Sequence, residues 1–391
     1  MDPAELRELL SAEGLRLLDS LPPYESTADV VSLVSGLRKA GHPAGLVAAV
    51  LSQAKLRARA VRKFGPFAER MLFTEAGLEQ ATRLSAAAQH AGRFHRAGLS
   101  WIADLGCGIG ADALAMAALE LEVTAVERDE VTAAVAAYNL APWSNARVEN
   151  ADAEDFDLAG VDGVFLDPAR RNASKRLTNP ADWSPSLDFA FEVAAKLPTG
   201  IKLGPGIDRE LIPQSAEAQW VSVDREVVEV GLWFGAVARP GIHRAALVLG
   251  SHGTAELTAE ADSEDVEVGA LGEYLYEPDG AVIRARLIGD LARQLKGRMI
   301  SDSIAYVTAD SATSSPFAAC FRVLDNFSLD KRVLKRELAA RGIGTVEIKK
   351  RGVDIDPAEL RTALSPHGDA EGTLILTRVQ GRRRALLVER V

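Results

Sequence analysis

The run Asp104-Leu105-Gly106-Cys107-Gly108-Ile109-Gly110 constrains this chain more than any other segment. Glycines at alternate positions permit a sharp turn and leave the backbone open to close approach by a ligand. An apolar, strand-like stretch (residues 99–105) precedes the turn, and an Ala-rich helical stretch follows it. A strand, a glycine turn and a helix in that order put the turn outside the carboxyl end of the strand, where open α/β sheets bind ligands. The glycines alone do not name the ligand, because Gly106, Gly108 and Ala111 also satisfy G-x-G-x-x-A, the dinucleotide fingerprint.

Strand-like segments recur at 122–126, 146–148, 161–166 and 200–203, with a helix predicted over 131–140. Strands alternating with helices imply a parallel sheet with right-handed crossovers. The continuous apolar run 161–166 is of the kind buried on both faces. Segments 220–234 and 242–249, joined by Ala238-Arg239-Pro240-Gly241, predict a terminal antiparallel hairpin.

Three acids accompany the glycine loop. Asp104, two residues before the first glycine, is placed to accept from a cofactor ammonium group. Glu127 ends the second strand, suited to two ribose hydroxyls, with Arg128 beside it. Asp152, with Ala153 next to it, follows the third strand, where it can accept from an adenine amine. An NAD enzyme shares the need for Glu127, so it is Asp104 and Asp152 that disfavour an NAD-dependent oxidoreductase. The fourth strand ends in Asp167-Pro168-Ala169-Arg170-Arg171. Asp167 is a candidate for orienting or deprotonating an acceptor, and Pro168 fixes the backbone beside it. Arg170 and Arg171 would set cations at the mouth of the pocket, able to meet phosphates.

Asp104 to Gly110, Glu127, Asp152 and Asp167-Pro168 resemble motifs I, II, III and IV of class I S-adenosylmethionine-dependent methyltransferases. The whole chain is similar to bacterial, mainly actinobacterial, members with a THUMP-like C-terminal domain. Lys63-Phe64-Gly65, Phe73-Thr74 and residues 77–82 are similar to that family's segment ahead of motif I. The resemblance implies S-adenosylmethionine as cofactor, a Rossmann-like sheet, and Gln80 and Thr82 lining the cofactor pocket. Motif IV departs from the pattern of amine-directed nucleic-acid methyltransferases, which carry Asp/Asn-Pro-Pro-aromatic. The stacking aromatic is replaced here, and Trp183 in the following loop reads mainly as packing.

The expected class is therefore α/β, in three parts: an N-terminal helical domain (1–95), the methyltransferase domain (96–250) and an α+β domain (251–391). The 391 residues, 47% apolar, suffice for such a division. The N-terminal part reads as four helical runs, the last over 68–94. The C-terminal part reads as helices over 283–295 and 329–341, strands at 304–308 and 345–349, and a hairpin of 372–378 with 384–388. Residues 251–265 read as a linker or surface strand.

Cys107 and Cys320 are the only cysteines. Two cysteines exclude a disulfide framework, and the N-terminus carries no secretory pattern, so a cytoplasmic location is expected. Cys107 lies inside the glycine loop, which argues against a cysteine nucleophile, and Cys320 reads as buried. The six histidines show no ligand spacing, and no metal is assigned. Apolar runs are short and broken by charge, so no membrane span is expected. Net charge is −10, yet cations gather at 331–351 and 378–384. Lys335 and Arg336, with Lys331 and Arg332 one turn earlier, predict a basic helix face and an RNA partner. The leading expectation is methyl transfer to tRNA or rRNA. The alternatives are a small-molecule or protein methyltransferase that dimerises through its tail, and a non-catalytic cofactor-binding protein that binds RNA.

Overall fold

A computed structural model of the chain describes residues 1–22, 27–168, 171–172, 175–176, 183–251 and 253–391, with the backbone alone at 27–31, 171–172 and 175–176. The chain forms two compact units. The first comprises Met1–Leu203 and Gly231–Arg239, the second Gly204–Val230 and Pro240–Val391.

The first unit begins with helices α1 (Pro3–Leu9), α2 (Ala12–Ser20), α3 (Thr27–Lys39) and α4 (Ala44–Phe64). Asp2 starts α1 through a capping box with Glu5, and Pro3 takes the first helical position. The predicted run 68–94 is broken into a 3-10 turn (Gly65–Arg70), α5 (Glu75–Gln80) and α6 (Leu84–Arg96). The break is local in origin. Thr74 is extended and caps α5 by accepting from the Gly77 N–H, and Ala81 is likewise extended.

From β1 (Trp101–Leu105) the chain alternates: α7 (Ala111–Ala118), β2 (Glu122–Val126), α8 (Glu130–Leu140), β3 (Ala146–Glu149), β4 (Gly163–Leu166), the short ladder β5 (Arg171–Asn172) and β6 (Lys175–Arg176), α9 (Leu187–Ala194) and β7 (Thr199–Leu203). The main strands lie in the order β7-β4-β1-β2-β3, all parallel. This is a Rossmann-like sheet, entered at its centre by β1. Leu9, Val50, Phe64 and Leu72 of the N-terminal segment share one core cluster with Ile102, Leu114, Phe165 and Trp233. The helical segment and the sheet thus bury each other's apolar faces.

The second unit opens on β8 (Glu217–Val223) and β9 (Glu226–Phe234), the latter passing back into the first unit at Gly231. What reads in the sequence as one strand, 220–234, is itself the antiparallel hairpin. Asp224 and Arg225 turn the chain with φ of 50° and 69°, the pattern of a type I′ turn. The segment expected as the second arm is β10 (Arg244–Gly250), which runs parallel to β8, with β11 (Gly253–Ala259) antiparallel on its far side.

The remainder is a seven-stranded sheet. Its members are β12 (Tyr274–Pro278), β13 (Arg298–Met299), β14 (Val307–Ala309), β15 (Ala318–Ser328), β16 (Ile343–Lys350), β17 (Ala370–Val379) and β18 (Arg382–Arg390). Their order is β13-β14-β12-β15-β18-β17-β16. Helices α12 (Lys331–Ala340) and α13 (Pro357–Leu364) cover one face through Leu334, Leu338, Leu360 and Leu364. The helix expected over 283–295 is two, α10 (Gly280–Arg284) and α11 (Ile288–Gln294), parted where Arg286 takes φ 61°.

Asn139 on α8 fixes the first unit internally. It is buried, accepts from the Leu72 N–H (2.8 Å), and donates to the carbonyls of Leu72 and Ile109 (3.0 Å each). One side chain therefore ties the segment before α5 to the glycine loop. Asn139→Ala leaves three buried backbone groups unpaired and should cost about 3 kcal/mol or more. Urea unfolding should show a lower midpoint at unchanged slope; an unchanged midpoint would deny Asn139 this role.

Candidate active site

Strand register brings the functional residues to one edge. Leu105 pairs with Val126 and Leu166, Val126 with Glu149, and Leu166 with Ile201. The residues that follow these pairs, Gly106, Glu127, Asn150, Asp167 and Lys202, therefore emerge together at the carboxyl ends of the strands. The Gly106 and Cys107 N–H groups both donate to the Val126 carbonyl, at 2.9 and 3.0 Å, which curls the loop over the β1 tip. Gly106 has φ +83°, and a Cβ there would stand 3.3 Å from the Asp167 carbonyl oxygen. Gly108, at φ +56°, faces open space. Its N–H donates to Glu127 Oε2 at 3.1 Å. The loop ends at Gly110, and α7 starts at Ala111.

Asp104 is 1% exposed, and neither carboxylate oxygen has a hydrogen bond of ordinary geometry. Burial pushes its pKa well above the usual carboxylate range, and the negative charges of Asp112 and Asp167 push it further. Lys202 and the Ala113 N–H oppose this only in part. A dry, unpaired carboxylate is costly to keep ionised. An ammonium group entering over the glycine loop would supply what is missing, so the residues present fit a cofactor bearing an α-amino group.

Glu127 is half-buried at the β2 tip, and burial raises its pKa as well. Its second oxygen accepts from the Asp129 N–H at 2.9 Å. Asn150 donates to the carbonyls of Glu127 (2.8 Å) and Arg128 (3.0 Å), fixing the turn that presents the carboxylate. Each Glu127 oxygen retains a lone pair, enough for a vicinal diol. Arg128 is exposed. Asp152 is half-buried and caps the 3-10 turn Ala153–Asp155 by accepting from the Glu154 N–H at 3.0 Å, with Ala153 buried beneath.

Asp167 is half-buried, and its Oδ2 lies 2.6 Å from Lys202 Nζ on the neighbouring strand. Pro168 is buried. Arg170 lies outside the described residues, as does the Arg171 side chain. Lys335 and Arg336 belong to the second unit, exposed on α12, where Arg336 pairs with Glu337 at 2.8 Å. Gln80 is exposed. Thr82 is buried and donates to Asp112 Oδ2 at 2.6 Å, while His90 Nδ1 meets Asp112 Oδ1 at 2.8 Å. Trp183 is buried, in keeping with packing. Cys107 is half-buried, its thiol pushed well up by burial. Cys320 is half-buried rather than fully enclosed.

Sequence reading missed Lys202, Asn150 and the Thr82–Asp112–His90 cluster. Lys202 carried a signal, because a lysine inside the apolar strand Thr199–Leu203 needs a partner. Asp112 carried no such signal, since an acid in a first helical turn is common.

Comparison with known proteins bears on the family directly. An uncharacterised S-adenosylmethionine-dependent methyltransferase of Mycobacterium tuberculosis, found in strains CDC 1551 and H37Rv, is 31% identical over 333 residues, covering 83% of this chain and 90% of that protein. The chain belongs to the S-adenosylmethionine-dependent methyltransferases. A crystal structure from Porphyromonas gingivalis W83, assigned as a methyltransferase, has the same fold. It matches with a TM-score of 0.74 at 21% identity, covering 100% of this chain and 99% of that one. Residues 318–390 match the family described as THUMP domain-like, and residues 2–60 match a domain of unknown function. Among the described residues no helix of this methyltransferase is long and apolar enough to cross a membrane.

The Asp104 environment couples stability to pH. Its pKa in the folded, unliganded enzyme lies above the ordinary value of 3.8. Folding therefore takes up a proton, and this contribution to stability, complete below the unfolded value, is lost as pH rises through the folded one. Asp104→Asn stays neutral throughout. At alkaline pH its thermal midpoint should exceed that of the wild type, with the gap closing toward pH about 4. Its affinity for S-adenosylmethionine should fall by about 100-fold, the scale of a lost charge-assisted contact. A variant that binds the cofactor like the wild type would remove Asp104 from the site.

Proposed function

We propose that this methyltransferase acts on structured RNA, gripping it through one end of the seven-stranded sheet. The observation that carries this reading is the placement of unpaired cations. Strand β15 ends where β18 begins (Ser328 opposite Arg384), β17 ends there too (Val379 opposite Arg382), and β16 reaches Lys350 opposite Leu376. Helix α12 starts three residues after β15 ends. Lys331, Arg332, Lys350, Arg378, Arg382, Arg383 and Arg384 are thereby brought to the same end of one sheet. Among the described residues none of them is ion-paired with a carboxylate. Several basic residues elsewhere in this unit are ion-paired: Arg341 meets Glu337 and Asp325, Arg322 meets Glu389, and Lys349 meets Glu277. Unneutralised cations gathered at one place suit a polyanion. The THUMP-like match over 318–390 includes all these positions.

In this reading the first unit performs the transfer. S-adenosylmethionine supplies a methyl group on a sulfonium, a good leaving group. Asp104 pairs with the ammonium group of the cofactor's methionine part, Glu127 accepts from the two ribose hydroxyls, and Asp152 accepts from the adenine amine. The carbonyl of Asp167 and the fixed backbone of Pro168 form the wall opposite the glycine loop. The Asp167 carboxylate, oriented by Lys202, aligns the acceptor and can hold its proton. Displacement of this kind gains most from alignment. Arg170 and Arg171 meet backbone phosphates of the acceptor. The same reading places the enzyme in the cytoplasm, where RNA and free thiols coexist.

Fluorescence titration with bulk tRNA and rRNA fragments tests the substrate. Affinity should drop by about tenfold or more for each doubling to tripling of salt, as expected for several phosphate contacts. Reversing Arg382 and Arg383 to Glu should weaken binding further while leaving S-adenosylmethionine affinity unchanged. No binding to total cellular RNA at low salt would overturn the RNA reading and favour a small-molecule or protein acceptor.

A further inference from the structure

We propose that Lys63, at the end of α4, is a positioning residue that fixes one wall of the cofactor site by clamping residues 78–82. The inference rests on the cofactor lying over Asp104 and the glycine loop. Lys63 Nζ donates to three carbonyls: Leu78 at 2.9 Å, Glu79 at 2.8 Å and Ala81 at 2.7 Å. An ammonium group has three donors, and all are used. The acceptors are carbonyls at the carboxyl end of α5, which a helix leaves without internal partners. A cation there also complements the helix dipole.

The clamped segment presses on the loop from two sides. Gly77 sits so close to the glycine loop that a Cβ would stand 2.4 Å from Ile109 Cγ2. Thr82 reaches Asp112, in the first turn of α7, at 2.6 Å. A shift of this segment would therefore move the loop and the start of α7 together. Lys63 is also within electrostatic reach of Lys202, the partner of Asp167. The clamp thus lies toward the end of the site where the acceptor is aligned.

The charge around Lys63 makes the clamp sensitive to pH. Lys202 faces it from β7, Arg83 from the loop before α6, Arg62 from its own helix and Glu79 from α5. Burial first, and then these cations, bring the Lys63 pKa down to about 8, with Glu79 opposing. Loss of the proton leaves two donors and turns a lone pair toward a carbonyl oxygen, so the clamp opens.

The test is calorimetric titration of the full chain with S-adenosylhomocysteine from pH about 6.5 to about 9.5, on the wild type, Lys63→Arg and Lys63→Met. Wild-type affinity should fall by about tenfold across this range, with a midpoint near the Lys63 pKa of about 8. Lys63→Arg, which stays charged, should lack that limb. Lys63→Met should be about tenfold weaker than wild type already at neutral pH. The ligand's own amino group titrates alike in all three proteins, so differences between profiles isolate Lys63. Parallel profiles for wild type and Lys63→Arg, or wild-type affinity in Lys63→Met, would overturn the proposal. A purely structural cap would lower the thermal midpoint without changing the shape of the affinity profile. If Lys63→Met does not fold, the wild-type and Arg profiles still decide. Asp104→Asn, titrated alongside, reports separately on whether the cofactor lies over Asp104.

Discussion

A carboxylate without a counterion, held dry at the tip of the central strand, is the constraint on which the first unit turns. Asp104 repels Asp112 and Asp167 and is answered only in part by Lys202. The other two acids are settled locally. Asp112 is held by His90 and Thr82, which keep its pKa low despite complete burial. Asp167 is held by Lys202. Of these three acids, Asp104 alone has neither carboxylate oxygen hydrogen-bonded with ordinary geometry. The arrangement stores unfavourable electrostatics where a cationic ligand group would relieve it, so stability and binding pull against each other at this residue.

The N-terminal helices serve the same end. His90 on α6 packs its ring on Phe165 of β4 and on Trp233, with centroids 5.1 and 5.7 Å apart, while its Nδ1 holds Asp112. Arg93, one turn on, lies over the Trp233 ring at 4.9 Å. Asn139 binds the backbone of Leu72 and Ile109, and Lys63 that of Leu78, Glu79 and Ala81. The helices therefore stiffen the loop from behind, through polar contacts set in an apolar core. Buried polar groups of this kind are effective only when fully satisfied.

Much of this was legible in the sequence, and the exceptions have physical causes. The glycine loop, the strand-end acids and Asp167-Pro168 announce themselves because local backbone needs and charge at strand tips are written in consecutive residues. The hairpin at β8 and β9 was misread because Asp224-Arg225 is not a typical I′ pair; a strong apolar pattern on both sides hid the turn. Strand β15 was missed for a similar reason. Its Asp325-Asn326 is poor in strand propensity, and the ladder to β18 slips by a residue between Val323 and Asp325. The Thr82–Asp112–His90 cluster joins residues 22 to 30 positions apart, and no local pattern encodes such a meeting. Arg336 shows the opposite failure, a cation conspicuous in the sequence that is neutralised by its neighbour Glu337.

Pairing of this kind decides whether an acidic protein could hold a polyanion, as the proposed RNA reading requires. Net charge sums every ionisable group, whereas a phosphate at contact feels only those within a screening length, about 8 Å at physiological ionic strength. Within that distance, pairing matters more than number. A guanidinium already bound to a carboxylate offers little field, while an unpaired one offers its full charge and releases a counterion when it binds. The end of the seven-stranded sheet is rich in the second kind, although the chain carries −10 overall. At low ionic strength the screening length grows to about 30 Å, the size of a small domain, and the remaining acids of the chain then oppose the patch. Attraction through the patch and repulsion by the whole thus respond to salt with opposite sign. The proposed RNA grip is accordingly a property of where cations lack partners, and composition alone would have pointed away from it.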